Sequence, residues 1–95
     1  MYKLQHTVTA NTQAQANAML AQMQAQLKQY TLTTVQHEEC LYAVVLARSF
    51  KRYSTAVKHF NSTVQLFCNI AAEHVDDEEH VPSCYVIDAE GYAVY

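Results

Sequence analysis

The apolar residues of this chain change their spacing from every second position to every third or fourth and back again, and then do so once more. Tyr2, Leu4, His6, Val8 and Ala10 alternate with Lys3, Gln5, Thr7 and Thr9, the pattern of a strand with one buried face. Ala16, Leu20 (or Met19), Met23 and Leu27 recur at helical spacing in a stretch of Ala, Gln, Met and Leu that reaches about Gln29. Asn11 or Thr12 can cap that helix, and Thr12 with Gln15 has capping-box spacing. Thr31 to His37 returns to β-branched residues and Cys40 to Arg48 is an almost unbroken apolar run, so Glu38 and Glu39 are expected to turn a hairpin. Tyr53, Val57, Phe60, Val64, Phe67, Ala71 and His74 then repeat at steps of four and three, flanked by Ala56, Leu66 and Ile70, which predicts a long amphipathic helix. Beyond an acidic loop with His80 and Pro82, Cys84 to Ile87 and Tyr92 to Tyr95 read as short strands around Asp88, Ala89, Glu90 and Gly91. The glycine suits the left-handed position of a hairpin loop.

The order is βαββαβ with one further strand. Right-handed crossovers then make an α+β, ferredoxin-like sandwich the simplest solution: an antiparallel sheet with two helices on one face and an added C-terminal strand. With 95 residues and no internal linker, one domain spanning 1–95 is expected. The chain is 51% hydrophobic and 16% charged, which argues against disorder. Gly91 and Pro82 are the only residues of their kinds, so glycine-rich phosphate cradles and nucleophile elbows cannot be built in their usual form. A net charge of -3 argues against nucleic acid as a direct partner. Cys40, Cys68 and Cys84 lack paired spacing and the first residues lack a signal-peptide core, so a reducing, cytoplasmic setting is expected. No apolar run is long enough to span a bilayer.

Charge is sorted along the chain. No acidic residue precedes Glu38, and Glu73, Asp76, Asp77, Glu78 and Glu79 crowd one stretch, downstream of a block with Arg48, Lys51, Arg52 and Lys58. In the expected topology the hairpin turn with Glu38 and Glu39 shares an end with the C-terminus of the second helix, so these seven carboxylates form one acidic surface. The basic block falls at the other end, near Lys3 and Lys28. That polarity opposes the dipole of the second helix, so helix stability alone does not favour it. The expected role is therefore a small non-enzymatic interaction module that presents an acidic surface to a larger basic protein or nucleoprotein partner. An inhibitor of a nucleic-acid-handling complex fits, for example a phage-encoded anti-defence protein, because clustered carboxylates imitate a phosphate backbone. An ordinary solvated loop would carry the same residues.

The Cys40 to Arg48 run is apolar on both faces, which points to a homodimer packed sheet to sheet through Tyr42, Val44 and Leu46, with Tyr92 contributing. His37, Cys40, His74 and His80 lie at the acidic end, yet their spacing matches no usual zinc motif, so no metal site or cofactor is assigned. One alternative is a small-molecule or metal-binding regulatory domain, whose mark would be a pocket lined by tyrosine and histidine. The other is a small cysteine/histidine enzyme with Cys40 or Cys84 as nucleophile, although no local pattern pairs either with a histidine.

Overall fold

Strand β1 (Tyr2–Ala10) runs antiparallel to β3 (Leu41–Phe50) on one side and to β4 (Ser83–Ile87) on the other. β2 (Leu32–Glu38) pairs antiparallel with the far side of β3, so the open sheet has the order β2-β3-β1-β4. Helix α1 (Gln13–Gln26) connects β1 to β2, and α2 (Tyr53–His74) connects β3 to β4. This computed structural model describes residues 1–95 except Thr31 and Asp77, and describes the backbone but not the side chains of Leu32, Thr33 and Glu38.

The alternation in β1 decides which face is buried. Leu4, His6, Val8 and Ala10 point inward, and the register Leu4↔Arg48, His6↔Leu46, Val8↔Val44 puts the even-numbered residues of β3 on that same face. Both helices pack there: Met19, Met23 and Leu27 from one side and Phe67, Ile70 and Ala71 from the other join Val8, Ala10, Val44 and Leu46 in one buried cluster. A smaller cluster of Leu4, Phe50, Ala56 and Val86 fills the opposite end.

Thr12 caps α1, its hydroxyl accepting the Gln15 N–H at 3.2 Å. The helix stops at Gln26, short of Gln29, because Leu27 leaves the helical region (φ -116°, ψ 62°) to bury its side chain. The hairpin turn falls on Glu39 and Cys40, with Glu39 at φ +52°. After β4, the Asp88 carboxylate accepts the N–H groups of Glu90 and Tyr92 and Gly91 takes φ +92°, as the turn requires. The expected last strand is absent. Residues 92–95 lie along β4 through one isolated bridge, Ile87↔Ala93, and two bonds between Val86 and the tail.

α2 begins badly. Its N-cap is Arg52, in extended conformation with no side-chain cap bond, and no acidic residue follows in the first turn. Replacing Arg52 by Asp supplies both a cap acceptor and a favourable charge at the positive end of the helix. The Arg52→Asp chain should gain about 1 kcal/mol and melt roughly 4–8 °C higher in a thermal scan.

Candidate functional site

The strand register sorts the charges in space. Lys3 pairs with Ser49 beside Arg48, Lys51 and Arg52 join β3 to α2, Lys58 lies in the second turn of α2, and Lys28 follows the end of α1. All these cations therefore share the end where β1 starts. At the other end, where Ala10 pairs with Tyr42, lie the β2–β3 turn with Glu38 and Glu39 and the C-terminal end of α2 with Glu73. The loop after α2 is tied to that end too, because the buried His80 ring bonds Thr9 at 2.8 Å through Nδ1.

Within the acidic group the side chains differ. Asp76 builds its own loop: its carboxylate accepts the Glu78 N–H at 2.9 Å and its carbonyl accepts the His80 N–H at 2.8 Å. Glu73 accepts a bond from Gln22 of α1 at 2.7 Å. Glu39, Glu78 and Glu79 are exposed. For Glu38 the backbone alone is described, and Asp77 lies outside the described residues. The turn and the loop approach opposite edges of the sheet, β2 and β4, so about three strand spacings, ~14 Å, separate them across one end. Two carboxylates break the separation: Asp88 and Glu90 follow Ile87, the partner of Lys3, and stand at the basic end.

The proposed dimer contacts fall differently. Val44 and Leu46 are fully buried beneath the helices, and Tyr42 is half-buried on that inner face with His37 stacked on it at 4.5 Å. They cannot meet a second sheet. The outer face instead carries Gln5, Thr7, Thr9, Thr34, Gln36 and Tyr85 around Ala43, Val45 and Ala47, which are only 3–6% exposed. Tyr92, 68% exposed, belongs to the tail beyond β4.

A feature that hydrophobic spacing conceals sits in the core. His6 lies between the two apolar clusters, stacked on Phe67 at 4.9 Å, with Nε2 2.7 Å from the Tyr30 hydroxyl and 3.1 Å from that of Thr63. Tyr30 donates to Thr63 at 3.0 Å, and Thr63 donates to the His59 carbonyl at 2.7 Å. Nδ1 is buried without a hydrogen-bond partner, and an unpaired acceptor is tolerated better than an unpaired N–H, so the proton belongs on Nε2. Burial holds the His6 pKa down to about 4 and raises that of Tyr30.

Beside this hub, at the basic end, a cavity of about 240 Å³ opens between the helices. Leu4, Arg48 and Phe50 of the sheet form its floor. Residues from Ala25 to Tyr30 form one wall, and His59 and Thr63 of α2 the other. Arg48 donates to Gln29 at 2.6 Å and stands 4.8 Å over the Phe50 ring, which also stacks on His59. Burial and then the charges of Arg48 and Lys58 lower the His59 pKa, a sign of the local positive field.

Cysteine and metal chemistry find little support. Burial, followed by its neighbour Cys68, pushes the Cys84 thiol up to about 12, the reverse of activation. Cys40 is exposed in the turn. His74 Nε2 bonds Gln22 at 2.7 Å, and among the described residues no group of three or more His, Cys, Asp or Glu is placed to hold a metal ion.

The hub makes stability depend on pH. Unfolded, His6 titrates near 6.5, and folded near 4, so the stability due to its neutral burial is complete above 6.5 and declines as pH falls toward 4. A series of urea titrations should lose about 3 kcal/mol across that window, and His6→Phe should remove most of the loss. An unchanged slope in the variant would assign the loss to other groups. Compared with protein-family models, curated proteins and solved structures, the chain gives no significant match to any of them.

Proposed function

We propose that the protein is a small, non-enzymatic interaction module whose acidic end docks on a basic surface of a larger protein or nucleoprotein complex. The observation that carries this reading is the charge sorting: every Lys and Arg stands at one end, while Glu38, Glu39, Glu73, Asp76, Glu78 and Glu79 stand at the other. The described bonds of the acidic side chains go to neutral partners, Gln22 and backbone N–H, so their charge is left for an outside cation. Two of them are held against local preference. Glu39 occupies a left-handed backbone position that Gly or Asn takes at lower cost, and Glu73 lies in the last turn of α2, whose dipole disfavours it.

A compact body with one acidic end suits an inhibitor that enters a cationic nucleic-acid groove, for example a phage-encoded anti-defence protein. Three unpaired thiols favour action in a reducing compartment such as the cytoplasm. Among the described residues no helix is long and apolar enough to cross a membrane. The antiparallel order, read from its other edge as β4-β1-β3-β2, supports the ferredoxin-like reading of the fold. A homodimer is a separate proposal, and of the residues expected to form it Tyr92 alone is widely exposed.

The test is capture from a host lysate at low and high ionic strength, with the wild-type chain and with the variant Asp76→Asn, Asp77→Asn, Glu78→Gln, Glu79→Gln. A partner held at low salt should be released at high salt, and the variant should associate at least about tenfold more slowly. Equal capture by the variant, with the same salt response, contradicts the reading.

A further inference from the structure

The cavity at the basic end offers chemistry that the acidic end does not use. Its two charged side chains, Arg48 and Lys28, are both cationic, the His59 ring beside them is neutral, and among the described residues no carboxylate lines it. Arg48 is anchored but not neutralised: a neutral amide, Gln29, takes one N–H, and the Phe50 ring supports the guanidinium plane. That leaves further N–H donors for a planar, two-oxygen acceptor. Leu4, Leu27 and Phe50 give the remainder an apolar surface. At the back, the Tyr30 and Thr63 hydroxyl protons are committed within the His6 hub, so the inner part of the cavity offers an occupant shape rather than donors.

We propose that this cavity binds a small organic carboxylate with a compact apolar body, the carboxylate on Arg48 at the rim and the body against Leu4, Leu27 and Phe50. At about 240 Å³ it lies below the usual range for drug-sized ligands and has no room for a nucleotide. An aryl-acetic or branched short-chain acid matches it. The C-terminal end of α1 borders the site, and its partial negative charge favours a monoanion over a phosphate dianion. The site is independent of the acidic end, so either proposal can fail without the other.

The experiment is a titration of the full, ¹⁵N-labelled chain with phenylacetate, 3-methylbutanoate, benzyl alcohol and phenyl phosphate. One or both carboxylates should give saturable amide shifts at Tyr30, Phe50, His59 and Thr63, with affinity at least about tenfold above that of the neutral alcohol. Arg48→Gln should weaken the carboxylates by about tenfold or more, and Arg48→Lys by less, because the lysine keeps charge but not the fork. Lys28→Gln, at an exposed position, gives a second reading should Arg48→Gln not fold, and it should weaken the acids while leaving the alcohol unchanged. The proposal is overturned by an absence of saturable shifts, by equal binding of acid and alcohol, by unchanged acid binding in the folded variants, or by tighter binding of phenyl phosphate than of either acid.

Discussion

The pairing of β1 with β3, from Tyr2↔Phe50 to Ala10↔Tyr42, is the constraint on which the other features rest. A slip of one residue would turn Leu4, His6 and Val8 outward and expose what the helices now cover. The same register decides which loops meet. It brings Lys3 beside Arg48 at one end and sets Glu38, the Glu39–Cys40 turn and the C-terminus of α2 at the other. Charge separation is therefore a property of the sheet's antiparallel topology as much as of the sequence.

Between the two ends, the core is not uniformly apolar. His6 interrupts the inward face of β1 between Leu4 and Val8, and it is tolerated because Tyr30, Thr63 and the rings of Phe67 and Phe60 surround it. A buried polar group left unpaired would be costly, whereas a connected one fixes a particular arrangement of its neighbours. Here the arrangement ties three elements together: β1, the segment after α1, and α2. It also forms the back wall of the basic cavity, so the packing of the core and the shape of the pocket share the same residues.

Much of this could be read in the sequence, for reasons that differ by element. The strict alternation of Tyr2 to Ala10 identifies both a strand and its buried face, and Thr12 with Gln15 marks the start of α1 because cap chemistry is local. β3 is different. Its run from Leu41 to Ala47 is apolar on both faces, so nothing within the strand says which set meets the helices, and Val44 and Leu46, expected at a dimer contact, lie on the helix side. The polar pattern of the neighbouring β1, carried through the register, makes that choice. The cavity was hidden for a related reason: Thr63 is a polar residue on the inward stripe of α2 and Tyr30 lies between elements, and hydrophobic spacing registers neither. In the last residues tyrosine and valine suit a strand by composition, but a single bridge forms there.

Segments distant in the chain, around Glu38 and around Asp76, Glu78 and Glu79, share one end of the sheet while Lys51 and Arg52 occupy the other. Cys40, exposed in the β2–β3 turn, provides a natural point of attachment for a nitroxide once Cys68 and Cys84 are replaced by Ala. β3 spans ~30 Å from that turn to the basic end, against ~14 Å across the sheet to the acidic loop. Paramagnetic broadening of amide signals should thus be strong at Glu78, Glu79 and His80 and weak at Arg52 and Tyr53. The reverse pattern would place the two carboxylate segments at opposite ends and contradict the account.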